Sequence, residues 1–374
     1  MKIAVQIDSP IWGGNEKVLT TIAAGLRERG HDVVVACRRG RPVHRHLEAL
    51  GVPVRHAHIG GDADLLNAAA FAGILRRERP DAALLSWFKK SFWAGWAARR
   101  AGVPRVVERW GMSDGLPDRW KYRYAFRRYI DALIVNSADI RRRWLASAPW
   151  FPTDEVHVVL NGVRPPAARR GVLRAELGLE ADTPMVAGAG RLERRKGFDV
   201  LVTAFARVSL ADAHLVVAGD GPEEAALRRQ AAALGVGERV HWLGFREDLG
   251  AVLVDCDVFA LSSRKEGMAN VMLEAMAADR LVVAADISGV GEALGRRDGR
   301  PAAGWIVPRE DAEAMGAALD VALRAAAEDG LEARARREET RHRAQNWFST
   351  DRMLAETERV LRGGPGGSGG AHDA

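Results

Sequence analysis

The most informative stretch of the sequence leads from an apolar segment, Asp257-Val258-Phe259-Ala260-Leu261, into Glu266-Gly267-Met268-Ala269-Asn270-Val271-Met272-Leu273-Glu274. The apolar segment predicts a buried strand, and the run from Val271 to Ala278 predicts a helix. A strand that passes through a glycine-bearing loop into a helix N-terminus builds a site for anions, because the first backbone N–H groups of a helix lack intrahelical partners. The sequence therefore predicts that the N–H groups of Ala269, Asn270 and Val271 face a ligand.

Two glutamates, Glu266 and Glu274, flank this predicted anion site. A carboxylate on each side can accept hydrogen bonds from hydroxyl groups, and phosphate together with hydroxyls is typical of a sugar nucleotide. Their spacing of about two helical turns also fits two solvated positions on one helix. Because Glu266 precedes the expected helix start, we expect the loop to aim its side chain.

A basic loop follows the first predicted strand of the second half, in Gly188-Ala189-Gly190-Arg191-Leu192-Glu193-Arg194-Arg195-Lys196-Gly197. Ligands of open α/β sheets bind at the carboxyl ends of the strands, which is where Arg191 and Lys196 fall. Two fixed cations suit a diphosphate, whose leaving oxygens gain negative charge. Arg194 and Arg195 are alternatives for this role, and a solvated basic loop is the structural alternative.

Three further glycine-bearing loops end predicted strands. They are Gly13-Gly14-Asn15-Glu16, Gly219-Asp220-Gly221-Pro222-Glu223 and Leu243-Gly244-Phe245. Each can be a simple turn, although glycine also lets a ligand approach the backbone closely. The first of these turns lacks the G-x-G-x-x-G pattern of dinucleotide sites, so the sequence does not support a nicotinamide or flavin cofactor.

Short apolar strands alternate with amphipathic helical stretches along the whole chain, which predicts an α/β fold with parallel sheets and helices on both faces. The predicted strands are 3–7, 32–37, 52–57, 82–87, 105–109, 132–136 and 156–159 in the first half, and 185–189, 214–218, 240–243, 258–261, 281–285 and 304–307 in the second. A proline-containing break at 160–170 predicts the domain boundary. The expected domains are 1–163 and 164–347, with a helix at about 348–362 as a candidate to pack back on the first domain and a disordered glycine-rich tail at 363–374.

The basic residues are concentrated in the N-terminal half. Residues 1–165 carry 27 Lys and Arg against 16 Asp and Glu, whereas residues 166–374 carry 28 against 33. Eight of the 11 tryptophans also lie in the first half. This composition favours an anionic acceptor or a lipid interface, with Lys89, Lys90, Arg99 and Arg100 beside Trp87, Trp93 and Trp96 as the candidate patch. The alternatives are a genome-wide arginine bias and tryptophans that belong to the core.

Several sequence features indicate the cellular compartment and argue against a nucleic-acid-binding protein. Cys37 and Cys256 flank apolar strands, which predicts buried free thiols in a reducing compartment. The chain enters a strand at once and lacks an apolar run of about 18 residues, so we expect a cytoplasmic protein with no signal peptide or spanning helix. The basic residues form no recognisable nucleic-acid module, and no nucleic-acid partner is expected.

Taken together, the sequence resembles the retaining glycosyltransferases of family 4, which have the GT-B architecture. The matching segments are Gly13-Gly14-x-Glu16, Gly190-Arg191-Leu192-x-x-x-Lys196-Gly197, Gly219-Asp220-Gly221-Pro222-Glu223 and Glu266-Gly267 through Glu274-Ala275. They occur in the family's order and cover about residues 1–362. The resemblance implies two doubly wound, Rossmann-like domains that face each other across a cleft, an N-terminal acceptor domain and a C-terminal nucleotide-sugar domain.

The resemblance also implies roles for individual residues. Arg191 and Lys196 would grip the donor diphosphate, and Glu266 would contact the transferred sugar. The other implied donor contacts are Gly14, Glu16, Gly244, Phe245, Gly267, Ala269, Asn270, Val271 and Glu274, with Glu274 at the ribose and Gly244 and Phe245 at the base. Such enzymes need no metal or cofactor, since cations and a helix N-terminus neutralise the leaving group.

One departure from the family concerns the acceptor half. Many members carry a histidine after a middle strand of the N-terminal domain, whereas this chain has Glu108-Arg109-Trp110-Gly111 there. Arg109 or Glu108 is the candidate replacement, and Arg109, Lys89 and Lys90 are the candidate acceptor contacts.

The resemblance implies sugar transfer to a cell-surface glycan or glycolipid precursor of the lipopolysaccharide or exopolysaccharide type, peripheral to the inner face of the cytoplasmic membrane. A sugar-nucleotide epimerase, glycosylation of a soluble small molecule, and a non-catalytic sugar-nucleotide sensor are the alternatives.

Overall fold

The structure, a computed structural model, describes residues 1–59, 64–86, 88–297 and 299–364. The chain divides into two compact units. Unit 1 comprises Met1–Gly162 and the C-terminal segment from Thr350, and unit 2 comprises Val163–Ser349. Trp87 and most of the tail predicted to be disordered, residues 365–374, lie outside the described residues.

The described part of unit 1 is built from seven strands and seven α-helices. In chain order these are β1 (Lys2–Ile7), α1 (Gly14–Glu28), β2 (Asp32–Cys37), α2 (Pro42–Ala49), β3 (Val54–His56), α3 (Leu65–Glu78), β4 (Ala82–Ser86), α4 (Ser91–Arg100), β5 (Arg105–Trp110), α5 (Trp120–Arg128), β6 (Ala132–Val135), α6 (Ala138–Ser147) and β7 (Val156–Val158), with the C-terminal helix Thr350–Leu361 returning to this unit.

The seven strands of unit 1 form one parallel sheet in the order β3-β2-β1-β4-β5-β6-β7. Strands such as Ala82–Ser86 are buried at every position, because helices cover both faces of a parallel sheet. The C-terminal helix packs on α1, where its residues Leu354 and Val360 join the same core cluster as Ile22 and Leu26. The chain changes direction between β1 and β4, so the loops after these two strands meet at the ligand-binding edge.

Unit 2 repeats this architecture with six strands in its described part. Its elements are α7 (Val172–Glu176), β8 (Met185–Ala189), α8 (Phe198–Phe205), β9 (His214–Ala218), α9 (Glu224–Ala233), β10 (Val240–Gly244), α10 (Leu249–Asp255), β11 (Val258–Leu261), α11 (Asn270–Ala277), β12 (Leu281–Ala285), α12 (Val290–Leu294), β13 (Trp305–Val307), α13 (Ala312–Glu328) and α14 (Leu331–Asn346); the helix of unit 1, Thr350–Leu361, is α15. The parallel sheet has the order β10-β9-β8-β11-β12-β13. Its change of direction falls between β8 and β11.

The prediction of an α/β fold with two doubly wound parallel sheets is confirmed. The largest shift of a predicted strand is at β3, which spans Val54–His56 instead of 52–57. The N–H of Val52 donates to the Leu47 carbonyl at 2.9 Å and closes the end of α2, while Pro53 has no N–H to give. The strand therefore begins only after these two residues.

The remaining expectations about the chain concern its thiols and its helices. Cys37 and Cys256 are both buried free thiols, and burial raises the pKa of each to about 12. Within the described residues, no helix is both long and apolar enough to cross a membrane.

Candidate active site

Two loops lie side by side at the point where the sheet of unit 2 changes direction. The loop after β8 carries Arg195 and Lys196, and the loop after β11 carries Ser262 and Arg264. The Arg264 N–H donates to the Arg195 carbonyl at 2.9 Å, and the Ser262 hydroxyl donates to the Lys196 carbonyl at 3.1 Å. These two hydrogen bonds hold the two loops together at the edge where open α/β sheets bind ligands.

Gly197 makes the close approach of these loops possible. Its φ of +65° lies in the left-handed region, and a Cβ atom at this position would lie 2.1 Å from the Ser262 carbonyl oxygen. A side chain would therefore separate the two loops as well as strain the backbone.

The Arg264 side chain also joins the same two loops by hydrogen bonds, a role that the sequence analysis missed. Its guanidinium donates to both carboxylate oxygens of Asp199 at 2.8 and 2.7 Å, to Glu310 at 2.7 Å and to the Arg194 carbonyl at 2.7 Å. The hydrogen bonds from Arg264 hold the pKa of Asp199 below its usual range. The available signal was an arginine three residues after a buried parallel strand, Val258–Leu261.

Lys196 and Glu266 form an ion pair across the two loops. The Ser263 hydroxyl donates to the same Glu266 oxygen at 3.0 Å, and the Arg195 guanidinium lies 3.5 Å from the other oxygen. The Lys196 side chain is 17% exposed and the Glu266 side chain 10%. A carboxylate and an ammonium group are therefore both fixed at the ligand edge, mostly shielded from water.

Arg191 lies apart from this pair. Its side chain is 53% exposed, and its Nε atom is 3.9 Å from a carboxylate oxygen of Glu193. Of the three residues predicted to be catalytic, the structure brings Lys196 and Glu266 together and leaves Arg191 in a weak surface contact; Arg195, an alternative in the sequence analysis, occupies the position beside Glu266.

Helix α11 begins at Asn270, at the end of the Glu266 loop. Ala269 occupies the N-cap position, and its methyl side chain cannot cap the helix as serine, threonine, asparagine or aspartate would. Gly267 and Ala269 are buried, Asn270 and Val271 are half-buried, and Glu274 is half-buried one turn further along. A helix end of this kind attracts anions through its N–H groups and its dipole.

The loops after β9 and β10 extend the same edge. The Gly219 N–H donates to the Gly244 carbonyl at 2.7 Å, and the Gly190 N–H donates to the Ala218 carbonyl at 2.9 Å. Phe245, directly after β10, is 58% exposed. Since neighbouring strands lie about 4.8 Å apart, the edge from β10 to β11 spans roughly 14 Å, which suits an extended ligand.

In unit 1 the corresponding edge includes the start of α1. Gly13 is its N-cap, without a capping side chain, and Gly14 is its exposed first residue. Glu16 is 4% exposed.

Arg109 reaches the same edge from β5. It is 4% exposed and donates to the side-chain oxygens of Asn15 at 3.1 Å and Asn161 at 2.5 Å. Burial lowers the pKa of Arg109 to about 10. Its neighbour Glu108 is fully buried, and burial raises the pKa of this carboxyl to about 8, against a smaller opposing effect of the Ser91 hydroxyl.

The candidate acceptor lysines are separated in the structure. Lys89 is exposed, whereas Lys90 is 7% exposed and forms an ion pair with the buried Asp8. Arg38 and His58 also contact Asp8. Burial alone would raise the pKa of Asp8, but hydrogen bonds from Lys90 and Arg38 outweigh it and hold the pKa below its usual range. The buried Lys90 therefore links the loop after β4 to the loop after β1 through its ion pair with Asp8.

The other members of the predicted basic and aromatic patch are only partly at the surface. Trp93 and Trp96 are half-buried and pack against the core of unit 1. Arg99 is held by the Tyr129 carbonyl at 3.1 Å and by Asp131. Trp87 lies outside the described residues, and Arg100 is exposed.

Asp255 and Asp257 have structural partners. Asp255 accepts from the backbone N–H groups of Gly171 and Leu173 at the start of α7. Asp257 accepts from Arg174 and from the Met185 N–H, both at 2.9 Å. These carboxylates join α7 to the sheet.

Comparison with known proteins identifies the family of this α/β protein with two parallel sheets. The family described as "Glycosyl transferases group 1" matches residues 170–344, and the family described as "Glycosyl transferase 4-like domain" matches residues 13–162. The lipopolysaccharide core biosynthesis glycosyltransferase LpsE of Rhizobium meliloti (strain 1021) is 30% identical over 312 residues, which cover 82% of this chain and 85% of LpsE. The chain therefore belongs to the group 1 glycosyltransferases and is itself a glycosyltransferase.

Two further similarities agree with this assignment. LpsD of the same organism, also a lipopolysaccharide core biosynthesis glycosyltransferase, is 26% identical over 286 residues, which cover 74% of this chain and 76% of LpsD. The crystal structure of Anabaena HepE in complex with UDP superposes with a TM-score of 0.81 at 22% identity, over 97% of this chain and all of HepE. The GT-B fold predicted from the sequence is confirmed.

Proposed function

We propose that this glycosyltransferase moves a sugar from a nucleotide diphosphate sugar to an acceptor hydroxyl, with retention of the anomeric configuration, on a cell-surface glycan or glycolipid precursor. The observation that carries the proposal is the Lys196–Glu266 ion pair at the change of direction of the unit 2 sheet, next to the start of α11. A fixed cation and a helix N-terminus suit a diphosphate, and a fixed carboxylate suits sugar hydroxyls.

The donor would lie along the ligand edge of unit 2. Lys196 and Arg191 bind the diphosphate, and the exposed Arg191 side chain has the freedom to turn towards it. Glu266 accepts from hydroxyls of the transferred sugar, and Glu274 from those of the ribose. The base lies against Gly244 and Phe245, where an exposed aromatic ring follows the strand.

Departure of the diphosphate places negative charge on its leaving oxygen. Lys196 and the α11 N-terminus stabilise that charge without moving, which lowers the barrier because the groups are already oriented. The acceptor oxygen bonds to the anomeric carbon from the same face that the diphosphate leaves, and the leaving oxygen takes the acceptor proton. Attack from this face gives retention. In this scheme the enzyme needs no cofactor or metal ion.

The relatives and the surface of unit 1 support this acceptor class. LpsE and LpsD are named for lipopolysaccharide core synthesis. In this chain, residues 119–128 around α5 contain five Lys and Arg and no Asp or Glu, and Trp120 and Tyr124 are 75% and 47% exposed. Exposed aromatic rings among cationic side chains suit the headgroup region of an anionic membrane. A peripheral position at the inner face of the cytoplasmic membrane would bring the enzyme to a lipid-linked acceptor.

Vesicle sedimentation tests the membrane part of the proposal. The protein should sediment with vesicles that contain anionic phosphatidylglycerol and remain in solution with purely zwitterionic vesicles. The double variant Trp120→Ala/Arg123→Gln should weaken sedimentation at unchanged melting temperature. Equal partitioning to both kinds of vesicle, or none to either, would contradict it.

A transfer assay with anomeric analysis tests the reaction itself. UDP-sugars are the first donors to try, since HepE was crystallised with UDP. Proton NMR of the product should show the same anomeric configuration as the donor, and Glu266→Ala should abolish transfer. An inverted product would exclude the proposed stereochemistry, and conversion of the donor sugar without any acceptor would favour an epimerase.

A further inference from the structure

Three polar side chains converge on one point at the ligand edge of unit 1. A Cβ atom placed on Gly111 would lie 3.5 Å from Asn15 Oδ1, 3.8 Å from Arg109 Nη1 and 3.9 Å from Asn136 Nδ2. These residues come from the start of α1 and the ends of β5 and β6, which parallel strand order brings together. Gly111 itself is partly exposed. We call this group of four residues the Arg109 niche.

Within the described part of the chain, no carboxylate pairs with the positive charge of the niche. Arg109 is buried and its two hydrogen bonds go to the neutral amides of Asn15 and Asn161; among the described residues it forms no ion pair with a carboxylate. Buried charges in proteins are normally paired, because an uncompensated charge is costly to remove from water. Burial alone accounts for the lowered pKa of Arg109.

The nearest carboxyl group along the chain does not supply that charge. Glu108 precedes Arg109 on β5, and successive side chains of a strand point to opposite faces of the sheet. The pKa of Glu108, raised to about 8 by burial, also leaves this carboxyl neutral at pH 7.

The niche presents N–H donors, from Arg109 and from the side-chain amide nitrogen of Asn136. A guanidinium has five N–H groups, and two of those of Arg109 are used within the described part of the chain. The Asn136 side-chain oxygen is buried and has no hydrogen-bond partner among the described residues. A buried guanidinium without a carboxylate partner calls for an explanation, and a ligand that brings anionic oxygens supplies one.

We propose that the Arg109 niche binds an anionic oxygen group, a carboxylate or a phosphate, carried by one of the two glycosyl substrates. This inference rests on the proposed glycosyl transfer and narrows its substrate class: either the donor sugar is acidic, such as a uronic acid, or the acceptor glycan carries a phosphate or carboxylate. The planar guanidinium forms two parallel hydrogen bonds to such groups, which an ammonium group does not.

Paired ligands that differ only in the anionic group test the proposal on the full-length protein. The donor arm compares UDP-glucuronate with UDP-glucose by titration calorimetry. The acceptor arm compares methyl glucoside 6-phosphate and methyl glucuronide with methyl glucoside by ligand-observed NMR. We expect the wild type to bind the anionic member about tenfold more tightly in one arm, as a charge-assisted hydrogen bond provides, and the arm that responds identifies the substrate.

Three variants connect the preference to the niche. Arg109→Gln should reduce the preference to less than about twofold. Gly111→Ala keeps Arg109 but places a methyl group at ordinary contact distance within the niche, and should weaken the anionic ligand selectively. Arg76→Gln removes an exposed arginine of unit 1, on α3, and should change nothing. Melting temperatures show whether each variant is folded.

The proposal is overturned if the wild type prefers the anionic member in neither arm, or if the preference persists in both Arg109→Gln and Gly111→Ala. Binding of UDP alone separates this outcome from failure of the proposed function. A protein that binds UDP but shows no anionic preference retains the proposed function and loses the niche, whereas one that fails to bind any nucleotide diphosphate loses the proposed function.

Discussion

Lys196 forms its ion pair with Glu266 although the two residues are 70 positions apart in the chain. The loops after β8 and β11 bring them together only because the sheet changes direction between these strands. Backbone hydrogen bonding between the loops and the left-handed Gly197 hold both side chains in place. This preorganisation is the property that a site for charge stabilisation requires.

The ion pair should matter for catalysis more than for stability. Lys196→Met and Glu266→Gln should each lower kcat/KM by about a hundredfold, as expected for loss of one preorganised electrostatic contact. Because the two residues act together, the double variant should lose less than the product of the single losses. Steady-state kinetics over the four proteins measures this coupling.

Lys265→Met is the matched control for the pair. Lys265 is an exposed lysine next to Glu266 in sequence, and its replacement should leave kcat/KM within about twofold. Equal losses for Lys265→Met and Lys196→Met would show that overall charge, and not the geometry of the pair, determines activity.

The two arginines near the pair should differ in their effect. Arg195 lies 3.5 Å from Glu266 but is also paired with Glu193, whereas Arg191 makes only a 3.9 Å contact with Glu193. If Arg191 binds the donor diphosphate, Arg191→Ala should raise the KM for the donor by about tenfold or more, while Arg195→Ala changes it little. The reverse order would assign the diphosphate contact to Arg195.

The close approach at Gly197 can be tested by alanine substitution. Gly197→Ala would place a Cβ 2.1 Å from the Ser262 carbonyl oxygen, so it should destabilise unit 2 by more than the roughly 1 kcal/mol expected for a left-handed alanine and should reduce activity strongly. Gly235 has a similar φ of +73°, and a Cβ added there would meet no atom within 4 Å. Gly235→Ala should therefore lower the free energy of unfolding only by the roughly 1 kcal/mol of a left-handed alanine, and it should retain activity. Equal melting temperatures for the two variants would be inconsistent with the close approach.

The buried Glu108 predicts a pH dependence of stability in unit 1. Its pKa is about 8 in the folded protein and 4.5 ordinarily. Between these values the unfolded chain has released the proton that the folded chain still holds. The contribution of Glu108 to the free energy of unfolding is therefore fully present below pH 4.5 and is lost as the pH rises towards 8. Glu108→Gln stays neutral and should become more stable than the wild type over this range, by on the order of 5 kcal/mol at most.

Urea unfolding of both proteins at about pH 5, 7 and 8.5 measures this difference. Groups that titrate equally in the two proteins cancel, so the change in the difference with pH reports on Glu108. A difference that stays constant across this range would show that Glu108 is ionised in the folded protein or is not buried as described.

The sequence predicted the strands and the two doubly wound sheets because apolar runs, loop glycines and helix periodicity are local signals. It also placed Glu266 and Lys196 in loops that follow strands, since these positions follow directly from the strand pattern. The pairing of Lys196, rather than Arg191, with Glu266 depends on side-chain geometry that spacing does not determine. Lys90 was predicted at a surface patch, but its partner Asp8 lies 82 residues away, and no local signal connects the two.

Binding of nucleotide diphosphates tests the central claim most directly. A thermal-shift titration of the full-length protein with UDP, GDP, ADP and their sugars should raise the melting temperature for at least one of them, because a ligand that binds only the folded state stabilises it. Lys196→Met should reduce that rise, and Lys265→Met should preserve it. A melting temperature that no nucleotide diphosphate or nucleotide sugar raises would contradict a donor site in unit 2.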